Sequence, residues 1–174
     1  MLRTCTILLV GCLVVSGPAA AQSVALRDEL LRDWSDMKHT MHRLAEEMPG
    51  EQFDFRPTDA QRTFAQQAFH VAGANVLNLS FLGGDVAPPV IDRTAAGRAE
   101  AIAAMDASFD YGTTLLQSQN DAWLMAVVET NAFLGPSSRA RVVWFLLGHS
   151  WDIYGQMVVY LRLNGHTPPA SQRP

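Results

Sequence analysis

The chain has 174 residues, a formal net charge of −4 and a mean hydropathy of +0.04. That length suits one domain with a full hydrophobic core. The acidic balance, with no basic run anywhere, does not attract nucleic acid.

Residues 1–21 read as a secretory signal peptide. Arg3 forms a short positive region and Ile7 to Val15 an apolar one, too short to anchor in a bilayer. Ala19-Ala20-Ala21 offers a cleavage site before Gln22. A lipobox at Leu9-Val10-Gly11-Cys12 competes with this reading. The apolar run continues past Cys12, however, and the alanine triplet sits where a signal peptidase cuts. The expected mature domain is residues 22–174, periplasmic or secreted, and loss of Arg3 takes its charge from −4 to −5. Cys5 and Cys12 both fall in the signal, which leaves the mature chain without disulfide, thiolate metal site or c-type haem attachment. No second apolar segment is long enough to span a membrane.

Four helical patterns follow. In the first, residues 23–48, Leu26, Leu30, Trp34, Met37, Met41, Leu44 and Met48 repeat by fours and threes, and Pro49-Gly50 stops the run. His39 and His42 share its outer face with Lys38 and Glu46, which predicts a solvated surface. A polar connection containing Phe55-Arg56-Pro57-Thr58 leads to a second helix. It starts at a capping box, Thr63-x-x-Gln66, and ends near Leu82 at Gly83-Gly84. This helix is apolar nearly all round, so burial is expected. His70 lies mid-helix, in line with Ala74, Leu77 and Phe81. The link over residues 85–94, with Pro88-Pro89, is long for a hairpin and predicts a crossover along the bundle. A third helix covers residues 95–118, with Ile102, Met105, Phe109, Gly112 and Leu116 inward. Residues 120–135 read equally as a short helix or an extended segment. The fourth helix is capped by Ser137 or Ser138 and stops at Asn164-Gly165, before Pro168-Pro169. No convincing strand pattern competes, so the fold class is all-α, a four-helix bundle with a long crossover between helices two and three.

The fourth helix carries Val142, Leu146, His149, Ile153, Gln156, Tyr160 and Leu163 along one face. Polar side chains among core positions need partners. His70 and His149 are the only histidines placed for a metal inside the bundle, with Asp152 three residues on as a candidate oxygen ligand. The plain alternative is that each histidine is a hydrogen-bonded core residue. Tyr154, Gln156 and Tyr160 are ligand-pocket candidates, again against simple packing in the seam. Gly155 is expected to allow close helix approach. Trp34, Trp123, Trp144 and Trp151 read as core or interface, and His166, beyond the helix stop, as solvated. No hydrolase triad, phosphate loop or dinucleotide fingerprint is present.

These residues resemble the DinB-like superfamily, and within it the secreted bacterial members, from about Trp34 to Ser171. The resemblance rests on Phe55-Arg56-Pro57-Thr58, Arg62-Thr63-Phe64 with His70, Phe109-Asp110-Tyr111, and His149-Ser150-Trp151-Asp152 through Gly155-Gln156 to Tyr160-Leu161-Arg162-Leu163-Asn164-Gly165 and Pro168-Pro169-Ala170-Ser171. It implies an up-down-down-up bundle, often a homodimer, with a divalent metal such as zinc or nickel on three histidines. One of these would be His70 and one His149. The third, four residues after His149, falls on Ile153, which cannot coordinate. Characterised relatives include thiol-dependent transferases and isomerases. Three readings follow. In the favoured one, the bundle binds a small molecule or partner at a degenerate two-histidine site, without the usual catalysis and with at most weak metal binding. In the second it is a transferase or hydrolase using His70, His149 and Asp152 or water. In the third it is a haem-b bundle. No membrane contact is expected after signal cleavage.

Overall fold

The structure, a computed structural model, describes residues 24–92 and 97–172. The signal-peptide reading lies outside them. The long helices are α1 (Leu26–Glu46), α2 (Phe64–Ser80), α3 (Arg98–Gln117) and α5 (Arg139–Leu163). A short α4 (Asp121–Met125) precedes β1 (Val127–Val128), which pairs antiparallel with β2 (Ser137–Ser138). The ambiguous stretch is therefore helical first and extended afterwards. Its two-residue ladder is a small correction to an all-helical expectation.

Local chemistry sets the helix ends. Thr63 and Gln66 form the predicted capping box, with bonds of 2.9 and 3.2 Å. Ser138 caps α5 by accepting from the Arg141 N–H. The N-terminus of α1 has no cap of its own. The Asp121 carboxylate on α4 instead accepts from the Leu26 and Arg27 amides at 3.0 and 2.9 Å, a favourable place for negative charge. At the other end of α1, the Arg98 guanidinium donates to the Glu46 and Met48 carbonyls. Gly84 has φ +119°, open to glycine alone, and a Cβ there would lie 2.7 Å from Leu115.

Side-chain pairs fix the topology. α1 and α3 run antiparallel, because Trp34 meets Phe109, His42 meets Asp106, and the end of α1 meets Arg98. α2 and α3 run parallel, with Asn75 against Ser108 and Gly84 against Leu115. α2 and α5 are antiparallel, with Arg62 against Tyr160, His70 against His149 and Leu82 against Arg139. The directions are up, down, down and up, so the chain must cross the length of the bundle between α2 and α3. α1 and α2 each pack on α3 and α5, so α1 and α2 stand at opposite corners.

The α1 seam from Leu30 to Met48 is buried as its spacing predicts. On α5, Val142, Leu146, Ile153 and Tyr160 are buried, but Leu163, the last residue of the helix, is 60% exposed. Leu77 on α2 is exposed as well, and so are Trp144 and Trp151, so neither tryptophan is core. Gly155 is exposed, and a Cβ on it would meet nothing within 4 Å. The close approach belongs to Gly112, whose added Cβ would lie 2.5 Å from the Trp34 ring.

Candidate functional site

His70 on α2 and His149 on α5 face each other, with ring centroids 4.8 Å apart and planes at 82°. The antiparallel packing of the two helices at this level places them. Phe145, one turn before His149, stacks on its ring at 6.2 Å and 8°. Phe133 leans on Phe145 from the loop between the two strands, 5.7 Å away. That loop is held by Asn131. Its amide donates to Asn78 on α2, and its oxygen accepts the Phe133 and Leu134 N–H groups.

His149 Nε2 is buried and has no hydrogen-bond partner among the described residues. Burial pushes the His149 pKa below the ordinary imidazole value; Asp152 draws it up and the Arg62 guanidinium pushes it down. The ring is therefore neutral near pH 7 and keeps a lone pair. With the folded pKa below the unfolded value of about 6.5, the neutral ring contributes stability that is complete above that pH and is lost as pH falls below it. Urea midpoints should fall on acidification from about pH 7 to about pH 5, and His149→Gln should shrink that fall. A slope unchanged by the substitution would assign the pH dependence to other groups.

On the α2 side a cleft of about 230 Å³ opens between Arg62, Gln66, Phe69 and His70. Arg62 belongs to the connection before α2, and its carbonyl accepts from the Tyr160 hydroxyl at 2.9 Å. From there a hydrogen-bonded line runs back along α5. Gln67 donates to Tyr160 Oη at 3.4 Å and to Gln156 Oε1 at 2.8 Å, and Gln156 Nε2 donates to Asp152 Oδ2 at 3.1 Å. Gln156 and Tyr160 of the α5 seam thus have partners, unlike His149 Nε2. Gln67, 1% exposed in the first turn of an apolar helix, is the member that sequence reasoning missed. The available signal was its spacing, three residues after Phe64 and four before Val71, which puts an amide on the apolar face of the helix.

Other expectations change. Tyr154 turns toward α1, beside Thr40 and Arg43, away from the histidine cleft. His42 is not simply solvated, since its Nδ1 lies 2.8 Å from Asp106 and its Nε2 3.4 Å from Glu46. His166 pairs with Gln52 at 2.7 Å. Asp152 is exposed and engaged by Gln156. Among the described residues no group of three or more His, Cys, Asp or Glu side chains converges to hold a metal ion, so Asp152 does not complete a triad with His70 and His149. Ile153, 2% exposed, stands one turn after His149. The two rings are near enough for one ion with bonds of about 2 Å, but two nitrogens fall short of the three protein ligands of an open zinc site. The residues present therefore do not fit a three-histidine centre.

Fold and site together define a four-helix bundle with paired histidines on its second and last long helices. The sequence pattern of the DinB superfamily matches residues 19–172, and the chain belongs to that superfamily. The fold is similar to that of a DinB-like protein from Bacillus cereus ATCC 10987, with TM-score 0.72 and 19% identity over 82% of this chain and 95% of that one. It is similar to the DinB-like protein YjoA from Bacillus subtilis, with TM-score 0.64 and 12% identity over 83% and 99%. It also resembles YfiT from Bacillus subtilis, described as a probable metal-dependent hydrolase with an unusual four-helix bundle topology. There the TM-score is 0.64 and the identity 16%, over 83% of this chain and 91% of YfiT. No curated protein matches the chain.

Proposed function

We propose that this chain is an exported DinB-superfamily bundle that binds a small molecule or partner beside the His70–His149 pair, without metal catalysis of the family's usual kind. The observation that carries this reading is Ile153. It is buried with apolar neighbours at the position where the resemblance expects the third histidine, and among the described residues no other side chain replaces that ligand. The His70 and His149 imidazoles, the Arg62 guanidinium and the Gln66 amide then supply hydrogen bonds to a ligand in the cleft they line or adjoin.

A second reading, a metal-dependent hydrolase or transferase, draws on the unpartnered, buried Nε2 of His149, a nitrogen suited to a metal bond. Metal content separates the two. The mature protein, purified without chelators, is expected to carry far less than one equivalent of zinc or nickel. One tightly held equivalent, lost on Asp152→Ala, would make Asp152 a ligand and replace the favoured reading with the hydrolase one.

A further inference from the structure

A second cleft, of about 380 Å³, lies on the opposite flank of α5, between that helix and α1. Trp144, Gly148 and Trp151 line it from α5, and Asp33, Asp36 and Met37 from α1. The two tryptophans are 59% and 54% exposed. They stand seven residues apart, about 10.5 Å along the helix axis. Gly148, between them, leaves the interval open, since a Cβ there would meet nothing within 4 Å. Trp151 is steadied from behind by an edge contact with Tyr154, centroids 5.4 Å apart at 82°. The slot therefore has two aromatic walls.

Across from it, Asp33 and Asp36 share one face of α1, three residues apart. Neither has a hydrogen bond or ion pair among the described residues. Indole faces attract cations, and two unpaired carboxylates add charge of the matching sign. The two carboxylates can balance positive charge. The carboxylates can also accept N–H donors, but between two indole walls a quaternary nitrogen has no donor to satisfy and keeps its full charge for the rings and the carboxylates.

We propose that this α1–α5 cleft binds a small alkylammonium cation, its quaternary nitrogen between Trp144 and Trp151 and facing Asp33 and Asp36. The site is separate from the histidine pair and does not depend on any reading of that pair.

Choline, titrated into the mature protein with tryptophan emission and calorimetry as readouts, tests it against neohexyl alcohol, its uncharged isostere. Choline should bind saturably and the alcohol about tenfold more weakly, as expected for loss of a cation–π contribution. Trp151→Ala and Gly148→Leu should each weaken choline about tenfold, the first by removing a wall and the second by filling the slot. The double change Asp33→Asn and Asp36→Asn should weaken it several-fold and abolish its salt dependence. Met125→Ala, elsewhere on the surface, should leave it unchanged. Equal binding of choline and the alcohol would overturn the proposal. So would the absence of saturable choline binding, or a dimer that falls apart on Trp151→Ala, which would make this face an interface between copies.

Discussion

Replacing Ile153 by histidine is expected to convert a weak metal binder into a tight one. Residues four apart on a helix lie side by side, so the new imidazole would stand next to His149, whose ring is already 4.8 Å from His70. Three nitrogens would then surround one ion, with an open fourth position. Without metal the substitution should cost stability, because Ile153 is 2% exposed and an imidazole buried without partners is unfavourable by roughly 1–3 kcal/mol. Zinc should more than restore it, since a ligand at 100 times its Kd stabilises the folded state by about 2.7 kcal/mol. Thermal melts of wild type should barely respond to zinc, whereas those of Ile153→His should rise sharply. Adding His70→Ala to the variant should abolish the rise. An equally large zinc response in wild type would show that its two histidines already have a third ligand.

The second large effect concerns Trp34. Its ring is fully buried, its Nε1 donates to the Phe109 carbonyl at 2.8 Å, and it packs on the Phe109 ring at 5.0 Å. Trp34→Ala should cost about 3–5 kcal/mol, as deletions of large core aromatics do. Gly112→Ala should also destabilise, for the opposite reason. Its new methyl would intrude on an indole that is hydrogen-bonded in place, costing about 1–3 kcal/mol. That outweighs the gain of about 1 kcal/mol in helix propensity. In the Trp34→Ala background the clash is gone, so Gly112→Ala should become neutral or stabilising, a non-additivity that urea melts can measure. Additive costs would mean that Gly112 and Trp34 do not touch. Lys38→Ala, which removes only the exposed pairing with Asp110, should stay within about 1 kcal/mol.

How much of this was legible in the sequence depended on how sharply each segment divided its faces. α1 separates apolar from charged positions, so its seam could be read directly and Trp34 placed in the core. The Thr63–Gln66 box and the Ser138 cap are local chemistry and needed no tertiary knowledge. The histidine pair was legible because both rings lie mid-helix among apolar residues. α5 is harder to read, since apolar residues surround it and periodicity alone cannot tell which tryptophan faces inward. In the fold Trp144 and Trp151 are both exposed, and Tyr154 turns toward α1. The partners of His42, His166 and Asp152 depend on which helices become neighbours, and the chain encodes that only through packing. Asp121, from the segment that could not be assigned, takes the role of α1's missing N-cap.

The corner arrangement of the helices also sets an order of assembly. Among the four long helices, only α2 and α3 are neighbours both along the chain and in space, and they run parallel. No pair can zip up as a local helical hairpin. α1 must wait for α3 and α5, and the last helix synthesised supplies one wall for each of the first two. A nascent chain ending after α3 would leave apolar stripes of α1 and α2 facing water. Folding rates fall as contacts become more distant in sequence. This bundle should therefore close late and all at once, more slowly than an up-down-up-down bundle of equal length.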